Sequence, residues 1–147
     1  MTTFVAVIAA GEMGCSIGER LRRHGARVLT SLAHRSAATL ERASGAGMID
    51  ADDDEIAASD FILPSFRRKM RWRLRSVFRA HCSAVQKKAT YVDCNAVSVE
   101  TVATIEKLIA ASGARFVDGS IIGAPGRQDQ VARLSIWPES VLRMLRP

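Results

Sequence analysis

Apolar positions along the chain fall into short unbroken runs separated by longer stretches of helical spacing. Phe4–Ala9 is a continuous apolar run closed by Gly11, the pattern of a strand buried on both faces. Ile17 and Leu21 follow at helical spacing, and Gly25 stands where a glycine beyond the last turn ends a helix. Arg27–Leu32 reads as a second strand, and Ser36 is placed to N-cap a helix running to about Ala46. Met48–Ile49 predicts a brief strand. Asp52–Ala58 predicts a short helix with acids in its first turn, where the dipole favours them, and Phe61–Leu63 the next strand. Farther on, Thr90–Asp93 is a strand, and Ser98 caps a helix with Val102, Ile105, Leu108 and Ile109 on one face and Gly113 at its end. Arg115–Val117 is another strand, Gly119–Arg127 a glycine-bearing loop, and Val131–Ile136 the last strand. Alternation of strands and helices with short loops predicts an α/β fold, doubly wound around a mainly parallel sheet.

The length of 147 residues fits a single domain spanning 1–147, and 48% hydrophobic with 24% charged residues is the composition of a globular protein. No apolar run reaches the roughly 18–20 residues of a membrane span, and the N-terminal run lacks the basic lead of a signal peptide. Cys15, Cys82 and Cys94 form no CxxC pair and no even set, so they are expected to be reduced thiols in a cytoplasmic protein. The net charge of +6 changes the picture less than it first suggests. Between Phe61 and Val92 there is no Asp or Glu, while Arg67, Arg68, Lys69, Arg71, Arg73, Arg75, Arg79, Lys87 and Lys88 all fall there. Without those nine, 12 basic residues face 15 acidic ones, a balance of −3. The chain is a mildly acidic domain carrying one basic segment.

The first run leads into Ala9-Ala10-Gly11-Glu12-Met13-Gly14 and then a helix. This is the dinucleotide-binding glycine turn with its first glycine replaced by Ala9, which can make the tight turn if its φ stays negative. In that motif one glycine lets the backbone approach a pyrophosphate, another lets helix and strand pack closely, and the helix N-terminus offers free N–H groups to the anion. A purely structural glycine turn is the alternative. About 20 residues on, an NAD binder offers an acid to the ribose 2′-hydroxyl. Here the chain reads Ser31-Leu32-Ala33-His34-Arg35-Ser36 with no acid. Arg35 and Ser36 at a helix start suit a 2′-phosphate, so NADP is favoured over a merely solvated arginine beside an N-cap serine. His34 is a candidate for the adenosine end, or else a surface histidine.

VAVIAAGEMG at the first turn, HRS after the second strand, YVDCNAVSVET and FVDGSIIGAPG together resemble the NADP-binding domain of the 6-phosphogluconate dehydrogenase and 3-hydroxyisobutyrate dehydrogenase superfamily, its short phosphogluconate dehydrogenase-like branch in particular. The resemblance covers residues 1–63 and 89–134 and implies a Rossmann-like fold. It implies that Gly11, Glu12, Met13 and Gly14 hold the pyrophosphate, that Arg35 with Ser36 holds the 2′-phosphate, and that Asn95 lies near the nicotinamide ribose. It also implies that the loop from Ser120 through Gly123 to Gly126 borders the substrate. The family's Ser-Gly-Gly there reads Ile122-Gly123-Ala124, so the carboxylate-binding hydroxyl is missing from its usual place, with Ser120 two residues earlier. The family's catalytic lysine lies in a following helical domain that is not expected in this chain. The implied activity is hydride transfer between NADP and a 2- or 3-hydroxy acid, which the domain is expected not to complete alone. A homodimer that completes the substrate site is left open.

The segment after Phe61–Leu63 departs from that pattern, because a proline-bearing apolar loop is expected there and 65–88 is basic. It reads as a solvated basic helix, or as an interaction module in which Arg67–Arg79, interleaved with Phe66, Trp72 and Phe78, grip nucleic acid or an anionic surface. The third reading is an out-of-frame stretch. One synonymous choice of G/C-rich codons gives, in the neighbouring frame, an apolar strand end, a double-proline loop and an amphipathic helix, and the tail Ser135–Pro147 is atypical in the same way. Sequencing the encoding DNA tests this, and the absence of an open neighbouring frame would refute it. Elsewhere, His24, His34 and His81 lack metal-ligand spacing. Cys15 reads as a small core residue rather than an activated thiol, and Asp52-Asp53-Asp54-Glu55 as a solvated helix start.

Overall fold

The computed structural model describes residues 2–64, 89–122 and 133–136. In chain order they form β1 (Phe4–Ile8), α1 (Glu12–Arg23), β2 (Arg27–Thr30), α2 (Ala37–Gly45), β3 (Ile49–Asp50), α3 (Asp53–Ala57), β4 (Phe61–Pro64), β5 (Thr90–Asp93), α4 (Val99–Ala110), β6 (Arg115–Ile122) and β7 (Arg133–Ile136). The strands make one sheet in the order β3-β2-β1-β4-β5-β6-β7. Neighbours from β3 through β6 pair in parallel, and β7 runs antiparallel to β6. This is the doubly wound order, reversing at β1, and the α/β expectation stands.

Period-two alternation in β1 assigns its residues to two different cores. Val5 and Val7 pack with Cys15 and Ile17 of α1 and Ala43 of α2. Ala6 and Ile8 pack with Ile56 and Ala57 of α3 and Ile109 of α4. Strand β4 divides in the same way, Phe61 and Leu63 joining the first core and Ile62 the second. A strand covered by helices on both faces has no polar side, which is why β1 reads as an unbroken apolar run.

Local signals explain most of the helix ends. Beyond α1, Gly25 adopts φ +88, where its N–H reaches the Arg22 carbonyl at 3.0 Å and the next N–H, of Ala26, reaches Leu21 at 3.1 Å. Those two bonds are the glycine-dependent Schellman closure. At α3, Asp52 accepts from the Glu55 N–H at 2.8 Å while the Glu55 carboxylate accepts from the Asp52 N–H at 3.0 Å, so part of the acidic run is a capping box.

Four expectations need correction. Ala9 has φ +79, not a negative value. Strand β2 ends at Thr30 rather than Leu32, because the Leu32 N–H leaves the ladder to donate to Asp50 Oδ1 at 2.8 Å. Strand β6 continues to Ile122, so Gly119 and Ser120 are ladder residues paired with Ile136 and Ser135 rather than loop. Leu108 is 41% exposed, leaving Ile109 as the fully buried residue of the α4 face. The basic segment 65–88, with Arg67–Arg79, lies outside the described residues, as does the tail beyond Ile136.

Candidate functional site

Parallel strands end on the same edge of the sheet, so the segments after β1, β2 and β5 emerge along that edge. The order reverses at β1: the chain crosses from β1 to β2 on one side, and β4 lies on the other, with Pro64 in register beside Ile8. The crevice above the carboxyl ends of β1 and β4 is the switch point at which doubly wound sheets bind ligands.

The turn from β1 to α1 is built around two glycines with different duties. Gly14 is buried, and a Cβ there would come within 2.2 Å of the Ala9 carbonyl oxygen. The helix therefore starts in backbone contact with the turn. Gly11 is exposed, its position would leave a Cβ nothing within 4 Å, and it caps α1 without any side-chain hydrogen bond. The first bond of the helix runs from the Cys15 N–H to the Gly11 carbonyl at 2.8 Å. The N–H groups of Glu12, Met13 and Gly14 thus have no acceptor inside the helix. Three aligned donors and the helix dipole make a fitting cradle for a diphosphate. The exposed Glu12 carboxylate would repel such an anion, so Glu12 contributes through its backbone.

Ala9 and His34 are the non-glycine residues with positive φ among the described residues, at 79° and 59°. One lies in the glycine turn and the other after β2. Backbone held in the left-handed region costs of order 1–3 kcal/mol and concentrates at functional sites, and here both instances follow neighbouring parallel strands at the same edge of the sheet. His34 occupies the third position of a turn closed by the Arg35 N–H on the Leu32 carbonyl at 3.1 Å. Arg35 is half-buried, while His34 and Ser36 are exposed. Ser36 is at the N-cap position of α2, but its hydroxyl pairs with Thr39 Oγ1 at 3.1 Å instead of capping a backbone N–H.

On the other side of β1, Asp93 ends β5 fully buried, and the half-buried Asn95 follows it. Asp93 Oδ1 accepts from the Asn95 backbone N–H at 3.0 Å and from its Nδ2 at 2.8 Å. In the register of β5 and β6, Asp93 is opposite Asp118, which puts Ser120 two residues along, at the level of Asn95, and exposed. Gly123 lies outside the described residues. The structure thus gathers Ala9 through Gly14, His34 through Ser36, Asn95 and Ser120 along one edge of the sheet. Asp50 and Asp93 were not singled out from the sequence. Asp93 carried a signal, an acid two residues before an asparagine at a strand end, whereas Asp50 matters through a pairing between strands that no local pattern encodes.

The two described thiols, Cys15 and Cys94, are buried. Burial pushes the Cys15 thiol up, against a weaker opposing effect of Arg42, and its Sγ donates to the Ala10 carbonyl at 3.4 Å. Cys94 is pushed up to about 12 by burial, then by the charges of Asp93 and Asp118. Among the described residues no three of His, Cys, Asp and Glu come together to hold a metal, and no helix is long and apolar enough to cross a membrane.

Fold, switch point and glycine cradle define a nicotinamide-dinucleotide-binding domain. The family model described as the NAD binding domain of 6-phosphogluconate dehydrogenase matches residues 4–136, and the chain belongs to that family. No curated protein matches by sequence. Among solved structures the chain is similar to the conserved protein MTH1747, of unknown function and itself described as structurally similar to 3-hydroxyacid dehydrogenases, with 30% identity and a TM-score of 0.70 over 82% of this chain and 44% of that one. A conserved hypothetical protein from Sinorhizobium meliloti 1021 is 27% identical, with a TM-score of 0.68 over 84% of this chain and 43% of that one. The fold is shared with the 3-hydroxyisobutyrate dehydrogenase of Mycobacterium tuberculosis, at 20% identity and a TM-score of 0.69 over 100% of this chain and 50% of that one. The chain therefore spans about half the length of these proteins or less.

Proposed function

We propose that this chain is the NADP(H)-binding part of a hydroxyacid-dehydrogenase-type oxidoreductase that binds the cofactor without turning over a substrate by itself. The observation that carries the preference for NADP is Arg35 with Ser36 at the start of α2, after a second strand whose own exit from Thr30 to His34 contains no acid; the Asp50 carboxylate, which β3 brings to that edge, accepts from the Leu32 N–H at 2.8 Å. The guanidinium supplies charge-assisted bonds to a 2′-phosphate. The N–H groups of Glu12, Met13 and Gly14 take the pyrophosphate, with Gly11 leaving room for it and Ala9 shaping the turn. His34 borders the adenosine, and Asn95 the ribose on the nicotinamide side. When bound, the nicotinamide supplies the hydride, and the chain's residues supply orientation and electrostatics. Ser120 and Gly123 flank the place for a small 2- or 3-hydroxy acid. Two buried free thiols, Cys15 and Cys94, support a cytoplasmic location.

The test is Arg35→Ala, titrated with NADPH and NADH in parallel by nicotinamide fluorescence. Loss of charge-assisted bonds worth about 1.5–3 kcal/mol should weaken NADPH about ten- to hundredfold and leave NADH nearly unchanged. Equal losses for the two cofactors would refute the 2′-phosphate role.

A further inference from the structure

We infer that Asp93 is a positioning residue that sets the side chain of Asn95 for the nicotinamide half of the dinucleotide. The inference rests on the proposed cofactor reading. A dinucleotide spans the switch point, so with its pyrophosphate on α1 and its adenosine ribose at the end of β2, its other half must extend over β4 and β5. Asn95 is the polar residue that the end of β5 delivers there.

Two details separate this arrangement from an ordinary turn. First, one carboxylate oxygen takes both donors of the same residue, the Asn95 N–H at 3.0 Å and Nδ2 at 2.8 Å. A carboxylate only accepts, so it dictates which end of the Asn95 amide faces inward: Nδ2 toward Asp93 and Oδ1 away from it. Unaided, the terminal torsion of an asparagine is broad and nearly two-fold. Second, Asp93 is 0% exposed and its other oxygen, Oδ2, is buried with no hydrogen-bond partner among the described residues. A buried carboxylate with an unsatisfied oxygen is a poor device for stability. Its use here is directional, since it locks the backbone and side chain of Asn95 together at the strand end.

The experiment compares NADPH with 2′,5′-ADP, which carries the adenosine half and the 2′-phosphate but no nicotinamide ribose. Asp93→Ala removes both bonds to Asn95 and should weaken NADPH about three- to tenfold, the worth of one or two neutral hydrogen bonds, while 2′,5′-ADP binds as to the wild type. Asp93→Asn fills the same space and its amide oxygen can accept the same two donors, so it should restore NADPH affinity. Asn95→Ala should reproduce the selective loss, and it serves in place of Asp93→Ala should that variant fail to melt cooperatively. The double variant should lose no more than either single one. Unchanged NADPH affinity in Asn95→Ala, equal losses for both ligands, or failure of Asp93→Asn to rescue would each overturn the inference. Wild-type protein that binds neither ligand would overturn the cofactor reading itself, a distinct result from a wild type that binds both and a variant that loses neither.

Discussion

Substituting alanine at Gly11 and at Gly14 should separate two duties that a glycine motif normally hides. At Gly14 the added Cβ lands 2.2 Å from the Ala9 carbonyl oxygen and 3.2 Å from its carbon, both backbone atoms, so relief requires turn and helix to part by about 1 Å. Overpacking of this kind costs roughly 1–3 kcal/mol, of which better helix propensity returns less than about 1. At about 2–4 °C per kcal/mol for a chain of this size, Gly14→Ala should melt several degrees lower. At Gly11 the backbone is extended, with φ −77 and ψ −176, and the Cβ meets nothing within 4 Å. A poorer N-cap and a stiffer unfolded chain offset one another there, so the melting temperature should stay within about 2 °C. Gly11→Ala should nonetheless lose at least about tenfold in NADPH affinity, because its methyl occupies the space the pyrophosphate needs against N–H groups worth about 1.5–3 kcal/mol in charge-assisted bonds. The assay is a thermal melt and a fluorescence titration on each variant. Wild-type NADPH affinity in Gly11→Ala would refute the placement of the pyrophosphate, and an unchanged melting temperature in Gly14→Ala would refute the close contact.

Further expectations follow from the same geometry. Ala9→Gly relieves a left-handed alanine at about 1–2 kcal/mol and loses part of that to unfolded-chain entropy; it should raise the melting temperature by a few degrees, and a fall would mean that the turn is not strained. Asp52→Ala removes the acceptor of the α3 capping box and should cost about 1 kcal/mol in denaturant melts with no change in cofactor affinity. In alkali, the Cys94 thiol stays protonated in the folded state to about 12 but ionises near 9.0 once unfolded, so the unfolded state sheds its proton first and stability falls as pH rises through that window. Cys94→Ala should flatten the slope between about pH 9 and 12 by up to one proton, roughly 1.4 kcal/mol per pH unit; an unchanged slope would show that the thiol ionises alike in both states. Tyr91, also raised chiefly by burial, steepens the upper part of that window.

What the sequence determined by itself is whatever local chemistry can encode. The unbroken apolar run of Phe4–Ala9 marked β1 as a strand buried on both faces, since a strand with helices on both faces has no use for polar residues. Gly25 marked the end of α1 because few residues but glycine take φ +88 there without strain, and the glycine turn from Ala9 to Gly14 and the helix start at Ser36 were equally legible as local patterns. Tertiary structure decided the features that depend on a partner distant in the chain. Gly119 and Ser120 look like loop residues, and become strand because β7 supplies their ladder. Leu32 leaves β2 because Asp50, delivered by β3, captures its N–H. Ala9 takes a positive φ against its own preference because the buried Gly14 brings α1 down onto its carbonyl. The pairing of Asp93 with Asn95 is written in neighbouring residues, yet its meaning comes from the strand order, which puts β5 on the far side of β1 from β2. Propensity and pattern act within a few residues, whereas register and strand order are set by contacts across the whole chain.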